Sequence, residues 1–480
     1  MQLAVIIIFA RYLSKEDFGI ISIVASLLVF INIFSEIGIG PALIQRKELT
    51  IKHLQVANLS MLGIGFISYM ILFFASGLIA NQFDEKSLIA IIRITGISLI
   101  FTSVGNVSFS LLRRELDFKT ILIMEVLAFF LSYGLVGITL ILFDAGIWSY
   151  IISSVVQSFL MIIMLLYKKP IVGGLSWHQK EFSELFGFAG WLTIENVFNT
   201  IARQSDVFIT GKLLGISTLG LYSRAYQIID IPNQYIGMAL DNVLFPAMSK
   251  KQDELDVVTS AFLKGVAVTN ILMFPLAAFI AIYANPIITL LFGLEWVEAS
   301  MCLQLLCIML PLKTSVKIMD SLVRARGASR ESSYMKFFFM AFMIVLCVFG
   351  TKWGLVGVSY GVDIAVFLHF VLMTWLAKRL LNFPIGIFFK GFIPGIVCAT
   401  VIGFVNIALF LLTNYFGIQN YIVIGIGVLL TLVLSSLVFL YPSILGGTWK
   451  WLLGNLIEML PANKRIVGVK IFLTKRIAVY

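Results

Sequence analysis

Long, unbroken apolar runs constrain this chain more than any other feature. Each is about 20 residues, which as a helix crosses a ~30 Å hydrocarbon core. Thirteen complete runs are read at 18–44, 54–80, 88–112, 120–143, 147–167, 186–211, 219–247, 265–291, 298–323, 334–351, 354–376, 388–412 and 420–440. A β-barrel would instead alternate polar and apolar side chains over strands of about ten residues. Hydrophobic residues make up 60% of the chain and charged residues 12%, against about 45–50% and about 25% in soluble domains. That little charge cannot cover a water-facing surface. A soluble enzyme, a nucleic-acid-binding module and a disordered scaffold are therefore excluded, despite the net charge of +10. The expected fold class is an all-α polytopic membrane protein.

Residues Met1–Ala10, MQLAVIIIFA, would reach only about 15 Å as a helix. They read as the back half of a further span whose front half lies upstream, which gives about fourteen transmembrane helices. The basic residues set the orientation. With connections assigned alternately to opposite sides, one side carries 25 Lys and Arg and the other carries 5. By the positive-inside rule the first side is cytoplasmic. It includes the C-terminus, so the basic tail with Lys464, Arg465, Lys470, Lys475 and Arg476 faces the anionic inner leaflet. The remaining five cations, Arg93, Arg203, Arg224, Lys313 and Lys317, lie inside spans. All loops are short, so the chain works within or across the bilayer.

The sequence also repeats itself. ARYLSKEDFGIISIVASLLVFIN from Ala10 aligns with GKLLGISTLGLYSRAYQIIDIPN from Gly211 at an offset of 201. The pairs Arg11/Lys212, Leu13/Leu214, Gly19/Gly220, Ser22/Ser223 and Asn32/Asn233 then match. Ser110, Leu111 and Arg113 match Ser321, Leu322 and Arg324 at an offset of 211. Both pieces have the same orientation, which makes the repeat parallel. The expected organisation is an N-terminal six-helix bundle over 1–167, a cytoplasmic linker over 168–185, and a C-terminal six-helix bundle over 186–376. Two further helices over 388–440 and a basic tail over 441–480 follow.

An ionisable side chain at mid-membrane costs a few kcal/mol on insertion scales and is functional by default. Lys313, Lys317, Asp320 and Arg324 are spaced i, i+4, i+7 and i+11, along one helical face. Arg324 is at the cytoplasmic end, and Lys313 lies about 16 Å deeper. A basic ladder entering the bilayer fits a wet face that meets an anion. The competing reading pairs Lys317 with Asp320 and lets the other two snorkel. Asn196, Asn199, Arg203 and Asp206 form a second stripe, either a cavity lining or structural glue. The span 219–247 carries Arg224, Asp230 and Asp241, with Pro232 expected to break the backbone between the two aspartates. Asp230 is a candidate proton or cation coupling site, or else a partner for Arg203 or Arg224. Glu36 occupies a similar depth in the first repeat, and Arg93 and Glu125 are single charges. Asp363 and His369 read as satisfied packing groups.

Other chemistry has no signature here. There is no G-x-x-x-x-G-K-[ST] phosphate loop, so no ATP hydrolysis is expected. His53, His178 and His369 are scattered and fit no metal spacing. Cys302, Cys307, Cys347 and Cys398 read as small apolar core residues. No cofactor and no catalytic residue are expected.

ARYLSKEDFGIISIVASLLVFINIFSEIGIGPALIQRKELT resembles the first loop and second span of polysaccharide flippases. LLRRELDFK and ARQSDVFITGKLLGISTLGLYSRAYQI also resemble that family. These are the lipid-linked oligosaccharide exporters of the multidrug/oligosaccharidyl-lipid/polysaccharide superfamily, and the colanic-acid and teichuronic-acid exporter branch is the most similar. The resemblance covers most of residues 10–380. It implies fourteen spans in two bundles around a cationic cavity. It implies an undecaprenyl-diphosphate-linked oligosaccharide substrate, alternating access, and a coupling proton or sodium ion. Other polysaccharide-assembly membrane proteins are the implied partners, and the bacterial inner membrane the implied location. The diphosphate would meet Lys313, Lys317, Arg203, Arg224 and Arg93. Asp230, Glu36 and Asp241 would serve the coupling ion. A cation-coupled multidrug antiporter of the same superfamily would favour a net acidic cavity. A membrane-embedded polysaccharide polymerase or ligase would want a large outer loop. A purely structural subunit would not need this many charges in its spans.

The orientation has a direct check. A reporter fused after Tyr480 is expected to be active in the cytoplasm, and one inserted in 81–87 to be active outside; the reverse pattern overturns the assignment.

Overall fold

The computed structural model describes residues 2–35, 39–46, 48–171, 174–186, 190–416 and 420–440. Among them the chain is helical throughout, with no strand. The helices are α1 Gln2–Tyr12, α2 Lys15–Ser35, α3 Ile39–Gln45, α4 Ile51–Phe83 and α5 Ser87–Arg114. After them come α6 Phe118–Phe129 and α7 Ile138–Leu142, joined through a π-helical segment Phe130–Gly137. Next are α8 Ile147–Lys168, α9 Gln179–Phe186, α10 Gly190–Leu214, α11 Ile216–Lys250, α12 Leu255–Ile282 and α13 Ala284–Leu291. The last are α14 Ala299–Cys307, α15 Leu310–Ala325, α16 Ser329–Gly350, α17 Gly354–Leu381, α18 Ile385–Lys390, α19 Ile393–Tyr415 and α20 Asn420–Leu440. This is an all-α integral membrane protein. By length and apolar composition alone, eight of the described helical runs can cross a membrane, or nine if the bent pair α14 and α15 counts as one span. That criterion does not reach the fourteen spans expected. One of the eight, Ser329–Leu381, is 53 residues long and holds both α16 and α17. Helices α10 and α11 fall short because they carry the charged and amide stripes noted above.

Local irregularities fall where backbone chemistry dictates, and some correct the sequence reading. Pro232 does not break α11, which runs continuously through both Pro232 and Pro246. A proline removes one N–H, and a membrane helix tolerates this when neighbouring groups satisfy the freed carbonyl. The break comes instead in the span read at 298–323. There α14 and α15 meet at a 50° bend, with Pro311 in the first turn of α15, where its missing N–H costs nothing. The π segment was not foreseen. Glu36 and the basic tail lie outside the described residues.

The chain divides into two compact units. One comprises residues up to Arg224 together with Leu291–Trp296 and Lys336–Val358. The other comprises Ala225–Leu290, Val297–Met335 and the described chain from Ser359 on. In the first unit, Ile39, Leu43, Val56, Met61 and Leu185 form a buried cluster that joins α3, α4 and α9. In the second, Phe262, Phe370, Phe388 and Phe392 pack with Met319 and Leu322, which fixes α15 against α12 and α17. Tyr283 at the end of α12 donates a 3.1 Å hydrogen bond to Asn406 Oδ1 of α19.

Two positions matched by the sequence repeat also meet in the first unit. A Cβ on Gly19 would lie 2.1 Å from the Ile216 carbonyl oxygen, and a Cβ on Gly220 would lie 1.9 Å from the Lys15 carbonyl oxygen. Gly19 and Gly220 are repeat equivalents at the offset of 201, and so are Lys15 and Ile216. The two contacts therefore exchange under the repeat, as a local two-fold crossing of α2 and α11 requires. No residue with a side chain fits either position, because the obstacle is backbone.

Gly220→Val should lower the thermal stability of the detergent-purified protein by about 1–3 kcal/mol, the usual cost of overpacking. Gly63→Ala is the control in the same unit, since a Cβ on Gly63 meets nothing within 4 Å; melting curves that do not separate the two variants would refute the crossing.

Candidate functional site

The polar groups of the second unit converge where α11 meets α15. On α11, Tyr226, Asp230, Asn233, Gly237 and Asp241 recur at helical spacing and share a face. On α15, Lys313, Thr314, Lys317, Ser321 and Arg324 do the same. Contacts between the faces rise together in residue number, so the two helices run parallel. At one end Lys313 Nζ donates to Asp230 Oδ1 at 3.1 Å and to the Tyr226 hydroxyl at 2.6 Å. The same ammonium lies 4.3 Å from the Tyr226 ring centroid, within cation–π range. In the middle, Thr314 donates to Asn233 Oδ1 at 3.2 Å, and Lys317 donates to the Asn233 carbonyl at 2.9 Å. At the other end Ser321 and Arg324 both donate to Asp241, Arg324 at 2.5 Å.

Gly237 makes the middle of this seam possible. A Cβ there would lie 2.4 Å from Lys317 Cδ and 3.1 Å from its ammonium nitrogen. The lysine stem therefore occupies the space that a larger residue would fill.

The seam is only partly shielded. The side chains of Lys313 and Asp230 are 22% and 14% exposed, and those of Arg324 and Asp241 are 38% and 35% exposed. Asp230 also accepts from Asn233 Nδ2 at 3.1 Å and from Gln234 Nε2 at 2.6 Å. Its charge is thus shared among an ammonium and two amides. The arrangement can hold a cation–anion ladder in low dielectric and offer donors to an entering anion.

Four of the expected site residues, Lys313, Lys317, Asp230 and Asp241, meet in this seam. Asp230 takes Lys313 as its partner, rather than the expected Arg203 or Arg224. Tyr226, Asn233, Gly237, Thr314 and Ser321 were missed, although the α11 set is visible as a periodic stripe. Arg93, Arg203 and Arg224 belong to the first unit. Arg93 Nε donates to Ser76 at 3.0 Å, and its guanidinium lies 4.4 Å from the Phe73 ring centroid. Arg203 is exposed, as is Asn196, whereas Asp206 is buried and accepts from the Tyr222 hydroxyl at 2.5 Å. Arg224 is buried, lies 4.3 Å from the Phe18 ring centroid, and has an Nε with no hydrogen-bond partner among the described residues. Glu125 is exposed on α6. Asp363 corrects an expectation: it is buried, but its Oδ1 has no hydrogen-bond partner among the described residues.

A second node was not read from sequence. Glu184 on α9 accepts from Arg46 and contacts His53 Nε2 at 3.1 Å. These two groups hold its carboxyl below the ordinary glutamate range, the His53 hydrogen bond contributing most. Arg114 donates to the carbonyls of Leu43 and Arg46, which supplies partners to the open C-terminal end of α3. The four cysteines are all buried.

Comparisons with known proteins agree with this architecture. The chain is 24% identical over 394 residues to the teichuronic acid biosynthesis protein TuaB of Bacillus subtilis, covering 82% of this chain and 81% of that one. It is 25% identical over 366 residues to the lipopolysaccharide biosynthesis protein WzxC of Escherichia coli, covering 74% and 72%. Among solved structures it is similar in fold to the lipid II flippase MurJ in an inward closed conformation, with a TM-score of 0.72, 17% identity, and 91% and 96% coverage. It is also similar to an inward-facing multidrug resistance MATE transporter, with a TM-score of 0.65, 15% identity, and 79% and 93% coverage. Residues 8–301, more than half of the sequence, match the polysaccharide biosynthesis protein family, and the chain belongs to that family.

Proposed function

We propose that this protein is a flippase that carries an undecaprenyl-diphosphate-linked oligosaccharide across the bacterial inner membrane by alternating access. The observation that carries this reading is the α11–α15 seam. It places Lys313 and Lys317 on one partly open face of the second unit. A diphosphate crossing ~30 Å of hydrocarbon needs donors that replace its water. Lysine and arginine supply them, and the polyprenyl tail can remain in lipid. Relatives named for teichuronic acid, lipopolysaccharide and succinoglycan biosynthesis support a polysaccharide context.

In this reading Arg203, Arg224 and Arg93 are further candidate cations for the diphosphate. Arg203 is exposed on a helix of a membrane protein, where a guanidinium is costly unless it meets water or polar groups. Asp230, Asp241 and Glu36 serve the coupling proton or sodium ion. The C-terminus is cytoplasmic, and other polysaccharide-assembly membrane proteins supply and receive the substrate. A drug/cation antiporter fits less well. It needs carboxylates open to a cationic substrate, whereas Asp230 and Asp241 are each held by a cation.

Export of the polysaccharide repeat should fall about ten- to a hundredfold in Lys313→Ala and in Lys317→Ala, the equivalent of one charge-assisted contact. Both variants should still insert and accumulate, because a lysine is itself unfavourable in a span. Gly237→Leu, which displaces the Lys317 stem, should reproduce the Lys317→Ala defect. If Lys317 serves only to neutralise Asp320, the Lys317→Ala/Asp320→Ala double variant recovers export, and that recovery would falsify the binding role.

A further inference from the structure

The Lys313–Asp230 contact has an unusual construction: each partner has support that does not depend on the other. Lys313 keeps the Tyr226 hydroxyl at 2.6 Å and the Tyr226 ring at 4.3 Å. Asp230 keeps the Asn233 and Gln234 amides at 3.1 and 2.6 Å, both from its own helix. Both side chains are partly exposed. Breaking a shielded pair ordinarily strands a charge, which is why such pairs resist separation. Here neither charge would be stranded. The pair can open on its exposed side with tyrosine left on the ammonium and two amides left on the carboxylate.

Resting on the diphosphate reading of the seam, we propose that Asp230 is an internal counter-anion, a stand-in for the substrate that holds Lys313 until a polyprenyl diphosphate displaces it. The exchange moves no covalent bond. A phosphate oxygen takes the Lys313 N–H that Asp230 accepted, and Asp230 falls back on Asn233 and Gln234. Lys313 is thereby kept in place in the empty protein. Binding then costs less reorganisation than drawing a lysine out of an apolar wall. The cost appears as reduced apparent affinity, since only molecules with the pair open can bind. A weakened ground-state grip also favours release on the far side.

The test measures binding of undecaprenyl diphosphate to the full-length protein in detergent, with undecaprenol as the control for tail binding. Asp230→Asn should tighten undecaprenyl diphosphate binding by about tenfold, the factor expected if a tenth of wild-type molecules have the pair open. It should leave undecaprenol binding unchanged. Lys313→Met should narrow the difference between the two lipids about ten- to a hundredfold, the equivalent of one charge-assisted contact, and Asp230→Asn added to it should restore nothing, because Asp230 acts through Lys313. Gln234 is exposed, so Gln234→Leu leaves the buried packing of α11 unchanged. Without that amide Asp230 depends more on Lys313, and diphosphate binding should weaken several-fold. Unchanged or weaker binding in Asp230→Asn, or unchanged binding in Gln234→Leu, overturns the counter-anion role while leaving the flippase reading intact. Wild-type protein that does not distinguish undecaprenyl diphosphate from undecaprenol overturns both.

Discussion

The cost of charge in hydrocarbon governs this structure. A lysine or aspartate at the centre of a span costs roughly 2.5–3.5 kcal/mol on insertion scales. The sequence reading nevertheless places five cations inside spans. In the second unit the expense is contained by placing the polar groups of α11 and α15 opposite one another in parallel register. Each carboxylate of the seam then meets a cation. A shielded ion pair is often no more stable than a well-packed apolar pair of the same volume. Stability alone therefore does not account for Lys313 facing Asp230 where leucine facing leucine would serve. The seam is better understood as a row of polar groups that neutralise one another at rest.

The same constraint explains the use of glycine. Apolar contact between helices gives little driving force in lipid, because the tails are as apolar as the side chains. Close approach and polar contact have to substitute for it. At Gly19 and Gly220 two backbones touch under a local two-fold relation, and at Gly237 a lysine stem lies against a backbone. The first pair positions the N-terminal ends of α2 and α11. The third admits Lys317 to the seam. One long helix, α11, thus carries both a repeat contact and the face that meets α15.

Much of the fold was legible because lipid leaves so few alternatives. Apolar run length forces helices, and the runs read from the sequence fall mostly on helix among the described residues, although only eight or nine helical runs qualify as spans by length and apolar composition. What periodicity could not show is where a run bends. Pro232 looked like a break and is carried within α11, whereas Pro311 sits just after a real one. The difference depends on whether the proline falls inside a helix or in its first turn, and composition does not reveal that. The α15 ladder was legible as spacing, since Lys313, Lys317 and Arg324 recur on one face. Its partners were not, because which helix lies opposite is a tertiary fact. The aspartates of α11 were therefore assigned to coupling and the lysines of α15 to substrate, although the two sets occupy one seam. Asp363 shows the reverse error: a charge dismissed as packing proves to be a buried carboxylate with an oxygen that has no partner among the described residues.

A series of partly neutralised cations also suits transport better than one strong site. A lone unpaired lysine deep in the bilayer would bind a diphosphate tightly and hold it there. Passage requires binding favourable enough to admit the charge and weak enough, over several positions, to release it. Along the seam the donors alternate with acceptors that already occupy them: Lys313 with Asp230, Lys317 with the Asn233 carbonyl, Arg324 with Asp241. A passing anion would trade contacts with these internal acceptors one at a time, and the net energy of each exchange is a difference between two similar interactions. A diphosphate could thus move along such a face without falling into a trap, while the cations that guide it remain solvated by the protein when it is absent.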